Sequence, residues 1–103
     1  MLGVFLARVG MRMPFTISHD RVAHRFETQV DGADCELDYT LAAGVMTITH
    51  TGVPAEVGSR GIASALVQTA MEAARAEHWK VVPACSYASA WIKRHPEYQD
   101  LCV

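Results

Sequence analysis

Apolar and polar positions along the chain change period once, near residue 60, and that change divides the fold. Between residues 35 and 42, Cys35, Leu37, Tyr39 and Leu41 fall on one face and Glu36, Asp38 and Thr40 on the other. This is the two-residue period of a strand with one buried side. Residues 22–30 predict a preceding strand with less regular alternation. Asp31-Gly32 lies between the two, and its glycine accepts the positive φ of a tight hairpin turn. Ala43-Gly44 predicts a second turn, and residues 45–51, rich in β-branched types, a third strand. Three consecutive strands joined by tight turns make an antiparallel meander.

After Gly61 the period lengthens. No proline or glycine interrupts residues 62–78 and alanine is frequent, which favours helix. Ile62, Leu66, Ala70 and Ala73 recur at spacings of three and four, with Ser64, Gln68, Glu72 and Arg75 on the opposite side. Residues 79–83 predict a short buried strand and 86–94 a second helix, stopped by Pro96, which disfavours helical geometry at His95. The order is β-β-β-α-β-α. A right-handed crossover sets 79–83 parallel to 45–51, so the expected fold class is α+β with a mixed sheet.

Composition narrows the class. At 103 residues the chain holds one core. Half the residues are apolar and mean hydropathy is +0.11, which excludes a disordered chain. No run approaches the roughly 20 apolar residues of a membrane span. A net charge of −2 and a pI near 6.2 give no general attraction to nucleic acid or anionic lipid. Cys35, Cys85 and Cys102 form no C-x-x-C pair, so a reduced, cytoplasmic setting is expected rather than a disulfide or zinc scaffold. No ligand spacing points to a metal. Met1 to Ala7 is apolar but is cut by Arg8 and lacks a preceding basic region, unlike a secretory signal. Residues 1–15 read as an extension or edge strand, and 16–103 as the domain.

The segment Val53-Pro-Ala-Glu-Val-Gly-Ser-Arg-Gly-Ile-Ala63 joins a strand to a helix start. Such a loop leaves the first helical N–H groups unpaired with the positive end of the dipole behind them, which suits an anion such as phosphate. Arg60 adds a full charge. An ordinary turn with a solvated arginine is the other reading. Neither G-x-G-x-x-G nor G-K-[ST] occurs, so a dinucleotide enzyme or a P-loop NTPase is disfavoured. Charge is also uneven. Residues 20–56 hold seven acids against Arg21 and Arg25, whereas 57–103 balance at +1. An anionic cofactor suits the second half and a cationic amine the first, unless the acids are simply the solvated face of the strands.

Arg60-Gly61-Ile62-Ala63 before an alanine-rich helix resembles motif A of the GNAT superfamily of N-acetyltransferases. Thr49-His50-Thr51, Gly61 to Val67, Lys80 to Tyr87 and Arg94-His95-Pro96-Glu97-Tyr98 follow in the order of its short single-domain (YjdJ-type) branch. The resemblance runs from about residue 16 to the C-terminus. It implies a GNAT-like sheet with a splayed parallel strand pair, residues 45–51 and 79–83. It implies acetyl-CoA as co-substrate, held at its pyrophosphate by Gly58, Ser59, Arg60, Gly61, Ile62 and Ala63, with Lys93 and Arg94 near the CoA phosphates. It places Cys85 beside the thioester, as proton or hydrogen-bond donor to the leaving sulfur or as a nucleophile. A small buried hydrophobe is the other reading of Cys85. Gly58 stands where the motif usually has Arg or Gln, and Gly52 where the branch usually has Glu.

His50 and Glu56 are candidates to take the proton of the acceptor amine, directly or through a water. Tyr98 and Tyr87 are candidate donors to the thiolate, with aromatic packing as the alternative. The expected activity is acetyl transfer from acetyl-CoA to an amine in a ternary complex. A non-catalytic CoA-binding or interaction module is the competing class. The acceptor is a small molecule or a protein amine. The short chain leaves little room for the N-terminal helices that longer members use around the acceptor, so an open site is expected, which suits a protein or peptide amine. An exposed sheet edge also offers a route to a homodimer.

Overall fold

The structure, a computed structural model, describes residues 15–103; the expectation for the extension 1–14 lies outside the described residues. Five strands form one sheet in sequence order: β1 (Ser18–Asp20), β2 (Arg25–Val30), β3 (Ala33–Ala42), β4 (Val45–Gly52) and β5 (Lys80–Pro83). All neighbours are antiparallel except β4 and β5, which are parallel. Helix α1 (Ile62–Glu77) makes the crossover, and α2 (Ser86–Lys93) follows β5. The mixed sheet with an antiparallel meander and one parallel pair is the fold class expected from the pattern. Both hairpin turns place two residues at positive φ: Asp31 (50°) with Gly32 (80°), and Ala43 (52°) with Gly44 (78°). That geometry matches the twist of the flanking strands.

Two elements depart from expectation. Residues 22–24 form a turn rather than the start of a strand. Asp20 Oδ1 accepts hydrogen bonds from the N–H groups of Val22 (3.1 Å) and Ala23 (2.9 Å), and this local bonding overrides the β-preference of Val22. Ser18–Asp20 then pairs across the turn as an unforeseen edge strand. At the other end, residues Pro96–Leu101 wind into a 3-10 helix that buries Tyr98 and Leu101. The chain then returns to β5, where Val103 N donates to Val81 O at 3.2 Å, so the far edge of β5 is covered.

The strands put Phe26, Leu37, Met46, Ile48 and Val81 on one face. Against it lie Ile62, Leu66, Val67 and Met71 of α1 and Trp91 of α2, all essentially inaccessible. The opposite face carries Glu27, Asp34, Glu36, Asp38, Thr40 and His50, exposed or half-exposed. Among the described residues no helix is long and apolar enough to cross a membrane.

Candidate active site

The site forms where β4 and β5 part. Their ladder runs from Val45↔Lys80 to Ile48↔Pro83 and stops at Pro83, which has no N–H to extend it. The amides of Ala84 and Cys85 both turn in to Ile48 O, each at 3.0 Å. Residues 49–52 continue along β3 alone. A bulge in β4 reinforces the parting. Asp38 faces His50 and Tyr39 faces Ile48, leaving Thr49 without an opposite residue; an inserted residue of this kind bends and twists its strand. It also resets the faces. Strict alternation from Met46 and Ile48 would send His50 into the core. The bulge sends it to the open face, where Nε2 lies 3.2 Å from Glu36 Oε2. Thr51 then faces inward, its Oγ1 3.6 Å from Cys85 Sγ.

Gly52 leaves room for this arrangement. A Cβ there would stand 2.5 Å from Glu36 Oε2 and 2.8 Å from His50 Nε2. The ligand atoms of Glu36, Asp38 and His50 lie within 4.8 Å of one another. Asp38 is already engaged, accepting from Arg25 Nε at 2.7 Å.

Cys85 is the N-cap of α2. Burial pushes its thiol up, but the N–H groups of Ala88 and Tyr87 and the Thr51 hydroxyl favour the thiolate and leave the pKa below the ordinary value. Burial instead raises the thiols of Cys35 and Cys102. Of the three free cysteines, Cys85 alone has its thiol pKa drawn below the ordinary value.

On the other side of the parting, Pro54 leads into a one-turn 3-10 helix, Ala55–Val57. Gly58 N donates to Ala55 O (3.1 Å) and Arg60 N to Val57 O (3.4 Å). Gly61 then takes φ +78° and caps α1 without a side-chain bond. The N–H groups of Ile62, Ala63 and Ser64 therefore open α1 without helical acceptors. Arg60 pairs with Asp31 of the β2–β3 turn. Trp91 Nε1 donates to Ser64 Oγ at 2.8 Å, which pins α2 to the first turn of α1; Lys93 and Arg94 follow at its exposed end.

The sequence matches the family model of GCN5-related N-acetyltransferases over residues 25–101. The chain belongs to that family. Its fold is similar to the NMR solution structure of a GCN5-like candidate N-acetyltransferase from Staphylococcus aureus. The TM-score is 0.69 at 27% identity, over 85% of this chain and 87% of that one. No curated protein matches the sequence. The protein is thus an acyltransferase of the N-acetyltransferase type.

In this N-acetyltransferase the candidate residues fall into three groups. Gly58, Ser59, Arg60, Gly61, Ile62 and Ala63 line one turn, and Lys93 and Arg94 stand exposed at the end of α2. Cys85 stands at the fork, with His50 on the open face two residues beyond the bulge's start at Ile48. Glu56 and Tyr98 stand apart from Cys85. Glu56 is exposed on the 3-10 turn, and the carboxylate beside His50 is that of Glu36. Tyr98 is buried, and its hydroxyl donates to Glu72 of α1. Burial, then Glu72, pushes its pKa far up. Tyr87 is half-buried in the first turn of α2. The pattern reading did not single out Glu36 and Thr51. Glu36 was visible only as a polar strand position, and the pairing that brings it to His50 depends on a bulge without a sequence mark.

Proposed function

We propose that this N-acetyltransferase takes acetyl-CoA as its acyl donor and passes the acetyl group directly to an amine in a ternary complex. The observation that carries the reading is the fork of β4 and β5, flanked by an uncapped helix N-terminus on one side and by Cys85 on the other. The free amides of α1 and the dipole behind them suit a diphosphate. Arg60, Lys93 and Arg94 supply full charges on the same side. Arg60 reaches a phosphate by exchanging Asp31 for it, and an exposed pair of this kind is weak enough to exchange.

In the direct route the neutral amine nitrogen attacks the thioester carbonyl carbon. The C–N bond forms, the C–S bond breaks, and the electron pair leaves on the CoA sulfur. His50, steadied by Glu36, accepts the proton shed by the nitrogen, with Glu56 able to act only through water. Cys85 donates to the departing sulfur. Holding both reactants at the fork lowers the barrier by several kcal/mol. The lowered thiol pKa favours a second route, in which Cys85 Sγ attacks first, releases CoA and yields its acetyl group to the amine. Three free thiols suit a cytoplasmic protein.

Isothermal titration with acetyl-CoA, with ATP as control, tests the donor. Release of free thiol on adding lysine peptides tests transfer. Saturable binding of acetyl-CoA but not ATP, with amine-dependent thiol release, is expected. Absence of binding overturns the reading. Intact mass separates the routes: an acetyl adduct that disappears in Cys85→Ala is required by the covalent one.

A further inference from the structure

The open face of the sheet has an ordered charge pattern. Ser18, Glu27, Glu36 and Gly52 stand opposite one another in a row across four strands, and Asp20, Arg25, Asp38 and His50 in the next. Glu27 and Glu36 are direct cross-strand neighbours, a placement that costs stability because like charges face each other. Along β3, Asp34, Glu36 and Asp38 all point to this face. Its permanent cations among the described residues are Arg25, engaged by Asp38, and Lys80 of β5, opposite Val45 at the far end of the sheet. Glu27 has no ion-pair partner among the described residues. The row ends at Gly52, beside Thr51 and the fork.

N-acetylation joins an anionic-carrier thioester to a nitrogen that arrives protonated. The basic groups Arg60, Lys93 and Arg94 stand on the loop side, so the acidic face is the one whose charge complements the second reactant. The face is shallow: a concavity of about 380 Å³ lined by Ser18, Glu27, Gln29 and Asp34 opens widely to solvent, whereas a small amine is ordinarily gripped in an enclosed pocket. Acids at every second residue of β3 repeat at about 6.6 Å, the spacing of same-side residues in any extended peptide.

We propose that the sheet face left uncovered by the described residues is the docking surface for the acceptor, and that the acceptor is an extended, lysine-rich peptide segment lying along β3 with its reacting amine at the Glu36–His50 pair beside Gly52. This proposal rests on the acetyl-CoA reading and names its second substrate. Glu27 and Asp34 attract the flanking lysines, and the reacting amine meets Glu36 Oε2 and His50 Nε2, which close over Gly52. Electrostatic docking of this kind acts mainly on capture and weakens with salt.

The experiment compares thiol release from acetyl-CoA with three acceptors. These are a peptide whose central lysine is flanked at alternate positions by lysines, the same peptide flanked by glutamates, and spermidine. It uses the full chain, the double variant Glu27→Gln/Asp34→Asn, and Glu97→Gln as a control on the helical side. The lysine-flanked peptide should have a KM lower than the glutamate-flanked one by about tenfold or more at low salt. The double variant should remove most of that preference, raising KM by a larger factor than it lowers kcat. Glu97→Gln should leave both constants unchanged. Acetyl-CoA titrations on the same samples keep the two ideas apart. If wild type does not bind acetyl-CoA, the donor reading fails. If it binds while flanking charge has no effect, spermidine outperforms the peptides, or Glu97→Gln matches the double variant, the docking proposal fails alone.

Discussion

Replacing Gly61 by alanine separates the ligand role of the loop from its structural role, because Gly44 supplies a matched control. Both glycines sit at φ +78°, and a Cβ added at either meets nothing within 4 Å. Steric cost inside the protein is therefore the same at both and comes from the left-handed backbone alone, roughly 1 kcal/mol. In a domain of this size that lowers the melting temperature by about 4–8 °C. The positions differ only in what lies outside. Gly44 closes a hairpin, where its carbonyl accepts from Lys80 N at 2.9 Å. Gly61 stands immediately before the free amides of Ile62 and Ala63. A methyl group there, with the backbone rotation it encourages, disturbs the anion seat, and loss of one good charge-assisted contact corresponds to about tenfold in Kd. Thermal melts of both variants and titrations with acetyl-CoA well below the transition supply the two numbers. Equal loss of stability with weakened acetyl-CoA binding only in Gly61→Ala is expected. If both variants bind acetyl-CoA as wild type does, the loop amides are not the diphosphate site.

Three further outcomes follow from individual contacts. Asp31→Asn releases Arg60 and should tighten acetyl-CoA severalfold with little change in melting temperature, as titration and melts will show. Thr51→Val removes a hydroxyl that favours the Cys85 thiolate, so the pH midpoint of iodoacetamide alkylation at Cys85 should rise toward that of an ordinary thiol, read by mass spectrometry. Tyr98 is held protonated by burial and Glu72. The unfolded phenol ionises near pH 10 while the folded one does not, so this stabilisation is complete below about pH 10 and is lost progressively as pH rises above it. Urea melts across pH 8–11 should show that loss in wild type and a flatter profile in Tyr98→Phe.

Much of the fold was legible because its signals are local. The alternation in β3, the two glycine turns and the three-and-four spacing of α1 each report a period or a turn chemistry that tertiary contacts merely confirmed. The failures are equally physical. Val22 reads as strand until Asp20 captures its amide, and the 3-10 turn that follows Pro96 and buries Tyr98 has no periodic mark in the sequence. At the site, the loop of Gly61 and the helix start at Cys85 are visible in sequence because caps and turns are short-range features. The Glu36–His50 contact is not, since it depends on which residue of β4 faces which residue of β3.

Thr49 decides that question. In an unbroken ladder His50 would bury its imidazole behind Ile48 and Thr51 would point away from Cys85, and neither the Glu36–His50 contact nor the thiol's hydroxyl partner would exist. With one residue left unpaired, the chain presents His50 and Gly52 to the open face and Thr51 to the fork, while the added bend carries residues 49–52 away from β5. The same insertion therefore opens the gap and distributes the chemistry to its two sides. On the proposed reading, the helix side offers amides, basic groups and a thiol to an anionic donor, and the sheet side offers carboxylates and an imidazole to a cationic acceptor.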